Sequence, residues 1–156
     1  MRNNIGLYRG MPKYLGDIRF SRPDVIKDDG FIYGSLVVAD GKYFICTYAV
    51  CSHKTFVDNT RATMFEVIPE TVGEYTGLTD KNGKKIFEGD IVKHHVQGDI
   101  LVNLGVVNWD EENARWAYKL NTMNPCFALY DPNAFEVIGN IHNNPELLNG
   151  GGNNDT

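Results

Sequence analysis

The residue types best suited to binding a metal ion are three cysteines and four histidines. Cys46, Cys51 and His53 lie close together in the sequence, and His94 and His95 are adjacent in a later segment. Thiolate and imidazole groups are the usual ligands of structural zinc. Adjacent residues of a strand point to opposite faces, however, so at most one of the two neighbouring histidines can join the cysteines. We therefore expect buried, reduced thiols and exposed loop histidines, with no metal and no cofactor.

Side chains that could carry out catalysis are also sparse. Cys126 precedes His142 by sixteen residues, but no recognisable motif around the cysteine would activate it as a nucleophile. The run Asp110-Glu111-Glu112 supplies carboxylates, and three successive acids are typical of a solvated turn. The glycine run at residues 150–152 lacks the preceding strand and the following helix of a phosphate-binding loop. The sequence therefore predicts that the protein is not an enzyme.

A basic segment at the N-terminus is a candidate for binding. Residues 1–27 contain six basic and two acidic side chains, a local net charge of +4. The candidate interaction residues are Arg2, Tyr8, Arg9, Lys13, Tyr14, Arg19 and Arg22. Cations interleaved with aromatic rings can hold the phosphates and stack on the bases of single-stranded nucleic acid. The net charge of −5 for the whole chain argues against extensive contact with phosphates, so we favour a solvated basic surface whose aromatic side chains lie in the core.

Protein contacts are the stronger prediction. Residues 71–156 carry six basic and twelve acidic side chains, so this half could dock a basic protein. A short strand with an exposed edge could also pair with the same edge of a second copy. No apolar run approaches the roughly 20 residues that a membrane-spanning helix needs. We therefore predict self-association, with nucleic-acid binding as the alternative and no membrane contact.

The elements that would position these side chains are short strands joined by turns. Two apolar runs flank Asp40-Gly41, a pair typical of β-hairpin turns. In the central segment, residues 76–92, one turn runs from Asp80 to Gly83 and a second turn at Gly89-Asp90 precedes a β-branched run. The Asp90 carboxylate could project towards a partner or accept backbone N–H groups of its own turn. We favour the second interpretation because aspartate commonly stabilises turns in this way.

Hydrophobic patterning predicts strands on both sides of the central segment. The predicted strands are residues 31–38, 43–48, 64–68, 71–75, 90–96, 100–109, 115–120 and 135–138, and the predicted loops are residues 49–63 and 121–133. Gly105 suggests a bulge or a bend within its strand. Trp109 and Trp116 would face each other across a charged hairpin tip. Asn144 and Pro145 occupy the N-cap and the first position of a one-turn helix.

The predicted fold class is mainly β, with short antiparallel strands and hairpins. We divide the chain into a hairpin segment with long loops at residues 1–70, a second β domain at residues 71–148 and a disordered tail at residues 149–156. The N-terminal residues lack the apolar segment of a secretory signal, so we expect a cytoplasmic protein.

Three long segments carry a distinctive pattern: residues 71–92 (TVGEYTGLTDKNGKKIFEGDIV), 104–116 (LGVVNWDEENARW) and 135–148 (FEVIGNIHNNPELL). Residues 7–10 and 31–38 match the same pattern more loosely. In their order and spacing these segments resemble the YopX family of phage and prophage proteins. The resemblance implies a mostly β protein in which residues 71–148, the C-terminal half, form a small SH3-like barrel. It also implies a protein that self-associates inside a bacterial cell, where another partner could be a host or phage protein. It implies no established activity and no known catalytic or binding residues.

Overall fold

The computed structural model describes residues 6–14, 24–50, 60–95, 102–120 and 126–149, and the fold of this part of the chain is almost entirely β. The strands are β1 (Tyr8–Gly10), β2 (Ile32–Ala39), β3 (Lys42–Val50), β4 (Thr60–Val67), β5 (Gly73–Thr79), β6 (Lys85–Phe87), β7 (Asp90–His95), β8 (Val102–Asp110), β9 (Arg115–Leu120), β10 (Cys126–Ala128) and β11 (Phe135–Asn140). Their pairings are antiparallel. The mainly β prediction is confirmed. No helix among these residues is long and apolar enough to cross a membrane.

The chain divides into two compact units, residues 1–74 and residues 75–156. In the first unit β4, β3, β2 and β1 lie side by side, and the first residues of β5 pair with β1. The predicted β2–β3 hairpin is confirmed, because Asp40 and Gly41 have φ values of 50° and 70°. Positive φ at both central residues matches the right-handed twist of the flanking strands.

The segment that follows β1 covers part of the outer edge of β4. The N–H of Lys13 donates to the carbonyl of Glu66 at 3.0 Å, and the N–H of Ile68 donates to the carbonyl of Met11 at 2.9 Å. These bonds satisfy backbone groups that an edge strand would otherwise expose. The buried core of this unit consists of Val25, Ile32, Ile45, Phe65 and Val67.

Gly34 allows the backbones of β2 and β3 to approach closely. A Cβ atom built on this glycine would lie 2.8 Å from the carbonyl carbon of Cys46, and nearer still to its oxygen. Backbone atoms cannot rotate away from such a contact as a flexible side chain can. Any side chain at this position would therefore force the two strands apart.

The second unit contains a five-stranded sheet in the order β10-β9-β8-β7-β11 and the β5–β6 hairpin. The residues of its buried core are Ile86, Val92, Val107, Tyr118, Leu129, Phe135 and Val137. Leu129 follows β10 at one edge of the sheet, and Phe135 begins β11 at the other edge.

Two predicted loops contain strand residues, so those predictions are wrong in part. β3 extends to Val50 and β4 begins at Thr60, where the two residues pair with each other. Cys126–Ala128, in the second predicted loop, pairs with β9 as β10. Both segments lack the alternation that marks a half-buried strand, since their pairing depends on backbone hydrogen bonds rather than on a continuous apolar face.

Gly105 does not form a bulge, one of the two alternatives predicted for it, whereas the other alternative, a bend, stays a prediction. Gly105 pairs in regular register with Val92 on one side and with Leu120 on the other. An added Cβ there would lie 2.6 Å from the Tyr118 ring, so the glycine makes room for a core aromatic side chain. The register shift lies instead on β11, between Val137 and Gly139.

The remaining sequence predictions concern the tip of the β8–β9 hairpin and the C-terminal turn. Trp109 and Trp116 are directly opposed, with their ring centroids 5.2 Å apart and an interplanar angle of 75°, which confirms the predicted pair. Pro145–Leu148 forms a single 3-10 turn rather than an α-helical one. Asn144 precedes it without a side-chain capping bond, and its side-chain oxygen instead accepts the N–H of Asn140 at 3.4 Å.

Candidate functional site

The Gly89-Asp90 turn, the most distinctive motif of the central segment, is buried. Gly89 has a φ of 81°, which few residues other than glycine adopt readily. The Asp90 side chain is 1% exposed, and its Oδ2 accepts the N–H of Phe87 at 2.8 Å. These contacts match the interpretation that Asp90 stabilises its own turn, and they leave the carboxylate inaccessible to a partner.

Asp80 has a larger structural role than its sequence context indicated. Its Oδ1 accepts the N–H groups of Asn82 at 2.8 Å and Lys84 at 2.9 Å, which completes the turn closed by Gly83 at a φ of 79°. Its Oδ2 accepts the N–H of Val137 at 2.9 Å. The turn sequence signals the local bonds. No sequence signal connects Asp80 to a strand 57 residues later.

The outer edge of β11 is therefore covered by the β5–β6 turn. Besides the bond from Val137 to Asp80, the N–H of Lys81 donates to the carbonyl of Phe135 at 3.1 Å. The Lys81 ammonium also contacts the Glu136 carboxylate at 2.6 Å, and it holds the pKa of Glu136 below its ordinary value. This edge of the five-stranded sheet is already occupied.

The opposite edge of the sheet is β10. The N–H of Leu129, just after this strand, donates to the carbonyl of Trp116 on β9 at 3.0 Å. Because N–H directions alternate along a strand, the N–H of Ala128 points away from β9. Phe127 is 40% exposed and Tyr130 is 77% exposed, so two aromatic side chains flank this backbone group. We call Phe127, Ala128 and Tyr130 the β10 edge.

The basic N-terminal residues that the structure describes are engaged within their own unit. Arg9 is 4% exposed, with its guanidinium carbon 4.6 Å from the centroid of the Phe31 ring. The Lys13 ammonium contacts Glu66 Oε1 at 2.7 Å and lies 5.6 Å from the centroid of the Tyr14 ring. Tyr8 packs against the core.

The other predicted cations, Arg2, Arg19 and Arg22, lie outside the described residues. Tyr14 is 59% exposed, so it is the member of the predicted N-terminal set that presents an aromatic ring to solvent. The structure thus brings Lys13 and Tyr14 together at the surface. It places Arg9 and Tyr8 in packed positions instead.

The metal-ligand candidates that the structure describes belong to different units. His94 and His95 are neighbours on β7, whereas Cys46 lies on β3 in the other unit. Cys51 and His53 lie outside the described residues. Within the ranges that the structure does describe, no three His, Cys, Asp or Glu side chains converge to hold a metal ion.

His94 belongs to a cluster of aromatic side chains in the core of the second unit. Its ring stacks on Phe135 with centroids 4.6 Å apart, and its Nδ1 lies 2.7 Å from the Tyr118 hydroxyl. Tyr118 also stacks on Phe127 at 5.7 Å, which connects the cluster to the β10 edge. Desolvation lowers the pKa of His94 and raises that of Tyr118, so the neutral imidazole can accept a hydrogen bond from the tyrosine hydroxyl.

We predict that the His94–Tyr118 pair makes the protein less stable at mildly acidic pH than at neutral pH. His94 has a folded-state pKa below the ordinary value of 6.5, so its contribution to the free energy of unfolding is complete above that pH. This contribution is lost as the pH falls through the folded-state pKa. Between about pH 7.5 and about pH 5.5, the urea midpoint of the wild type should fall more than that of His94→Gln, which cannot titrate. Equal decreases in the two proteins would contradict the prediction.

Comparison with known proteins places the chain in a family. A family model described as YopX protein matches residues 32–149. No curated protein matches. Among solved structures, the crystal structure of protein EF1440 from Enterococcus faecalis is similar, with 21% sequence identity and a TM-score of 0.46, over 92% of this chain and 98% of that one. The family model covers well over half of the sequence and confirms the resemblance, so the chain belongs to the YopX family.

Proposed function

We propose that this protein is a phage or prophage accessory protein that acts inside the bacterial cell by binding proteins, including a second copy of itself, rather than by catalysis. The observation that carries the proposal is the difference between the two edges of the five-stranded sheet. The β11 edge is covered by Asp80 and Lys81, whereas the β10 edge presents a backbone N–H between two exposed aromatic side chains. Such an edge is a template for strand addition.

The buried polar side chains of the second unit support a role without chemistry. Asp80 and Asp90 each accept backbone N–H groups. Asp110 accepts a side-chain N–H of Asn113 at 2.9 Å and the guanidinium of Arg115 at 3.1 Å. Asn140 accepts the N–H groups of His142 and Asn143. These groups hold turns together, and their hydrogen-bonding capacity is used for that purpose.

In the proposed assembly, β10 of one copy pairs antiparallel with β10 of a second copy across a twofold axis. The contact is then isologous, because the same surface is used by both copies. A three-residue strand supplies few hydrogen bonds, so Phe127 and Tyr130 must contribute most of the buried apolar area. The five-stranded sheet would be the small SH3-like barrel that the family resemblance implies.

Size-exclusion chromatography with light scattering tests this proposal. We expect the wild type to have twice the chain mass of 17.5 kDa, and Ala128→Pro to have the monomer mass. Proline removes only the outward-facing N–H, which an edge strand tolerates. Phe127→Ser/Tyr130→Ser should also be monomeric. The matched control Tyr14→Ser, which removes an equally exposed ring from the other unit, should retain the wild-type mass.

A wild type that is monomeric at every concentration, or an Ala128→Pro protein with the wild-type mass, would contradict self-association through the β10 edge. A pull-down from the bacterial host with and without nuclease then tests for other partners. A retained protein supports the proposal. Material that is lost after nuclease treatment would instead support nucleic-acid binding by the N-terminal segment, the alternative function.

A further inference from the structure

The tip of the β8–β9 hairpin combines an exposed aromatic ring with exposed carboxylates. Trp109 is 43% exposed, although tryptophan is normally well covered. It is held in place by Trp116, which packs against the core of the second unit. Glu111 and Glu112 follow in the turn and are exposed. We call Trp109, Glu111 and Glu112 the hairpin-tip surface.

The third acid of the tip does not belong to this surface, because it holds the turn together. Asp110 is 9% exposed and accepts hydrogen bonds from Asn113 and Arg115. The side-chain N–H of Asn113, together with the Arg115 guanidinium, keeps the pKa of Asp110 below its ordinary value. The cation nearest in sequence is thus already paired with a buried carboxylate. The turn is ordered by these bonds without the participation of Glu111 or Glu112.

We propose that the hairpin-tip surface binds a cationic segment of a partner protein through its lysine or arginine side chains. The inference rests on the proposed function as a protein-binding module, and it names the chemistry of one partner. An indole face attracts a guanidinium or ammonium group by cation–π interaction, and neighbouring carboxylates add charge attraction. The net charge of −5 also attracts a basic partner over longer distances.

The chain contains two tryptophans, and both belong to this hairpin, so intrinsic fluorescence reports directly on the surface. We would titrate the full-length protein with a dye-labelled arginine–serine repeat peptide and follow tryptophan emission and dye anisotropy. The control peptide carries citrulline, which keeps the shape of arginine and removes its charge. The arginine peptide should bind, and its affinity should fall as salt is added, whereas the citrulline peptide should not bind.

Three variants identify the residues responsible. Trp109→Leu should weaken binding about fivefold, since an exposed cation–π contact is modest. Glu111→Gln/Glu112→Gln should weaken binding about five- to tenfold through the loss of two ion pairs. Glu146→Gln, which removes an exposed carboxylate from the C-terminal turn, should leave the affinity unchanged. Equal binding by the first two variants and the wild type would overturn the inference.

The remaining outcomes separate this inference from the proposed function. If the arginine peptide does not bind but Ala128→Pro still converts the protein to a monomer, the inference fails and self-association stands. If the peptide binds to a wild type that is monomeric, self-association fails and the inference stands. If Trp109→Leu converts the protein to a monomer and the peptide does not bind, the hairpin-tip surface contacts a second copy and the inference is overturned.

Discussion

Gly34→Ala should lower the free energy of unfolding by about 3 kcal/mol, at the upper end of the usual range for inserting a methyl group into a packed region. The added Cβ would overlap the Cys46 carbonyl, so β2 and β3 must separate. This separation disturbs a hairpin that also carries the core residues Ile32 and Ile45. Urea unfolding followed by circular dichroism measures the change.

Gly139→Ala is the matched control for that substitution. Its added Cβ would also make short contacts with the side chain of Asn144, at 2.6 Å from Oδ1, 2.9 Å from Cγ and 3.0 Å from Cβ. The Oδ1 and Cγ atoms can rotate away, so only the Cβ contact requires a small shift of the backbone. We therefore expect a smaller loss of stability than at Gly34. A Gly34→Ala protein that unfolds at the same urea concentration as the wild type would show that the two strands can move apart at little cost.

Asp80→Ala should be destabilising by about 3–5 kcal/mol, because three backbone N–H groups lose their acceptor at once. Two of these groups belong to the β5–β6 turn, and the third is on β11. Asp80 is 4% exposed, so water cannot readily replace the lost carboxylate. The stability of Asp80→Asn should lie between that of the wild type and that of Asp80→Ala. The asparagine amide keeps one acceptor oxygen, but its N–H₂ group would face one of the backbone donors.

Asp131→Ala is the control for the loss of an aspartate from a turn. Asp131 accepts one backbone N–H, that of Asn133 at 3.0 Å, in an exposed position. Because water can satisfy that donor, the expected loss is below about 1 kcal/mol. Similar midpoints for Asp80→Ala and Asp131→Ala would contradict the view that Asp80 connects the turn to β11.

Local turn chemistry explains most of what the sequence predicted correctly. The chain reverses at Asp40-Gly41 and at the acidic tip after Trp109, and in both places the residues of the turn itself favour the reversal. The predicted hairpins and the predicted tryptophan pair are therefore confirmed. The bulge predicted at Gly105 is not formed, and the glycine instead makes room for an aromatic ring. Both roles favour glycine, so the sequence does not distinguish them. Only the neighbouring strand distinguishes the two.

The candidate surfaces depended on information that a single sequence does not contain. Which edge of the sheet is open depends on the bond between Asp80 and Val137, two residues that nothing in the sequence pairs. The burial of Arg9 against Phe31 could not be predicted either, because a charged residue in a basic, loop-like segment normally lies at the surface. Long-range pairing and burial decide which predicted residues remain accessible.

The bond between Asp80 and Val137 also has a consequence for synthesis on the ribosome. β7 and the Asp80 turn leave the exit tunnel well before β11, which must pair with β7 and supply the N–H that Asp80 accepts. During that interval the apolar side chains of the nascent second unit have no final partner. Because domains fold as units, β11 completes this one, and a polypeptide truncated before Phe135 would be prone to aggregation.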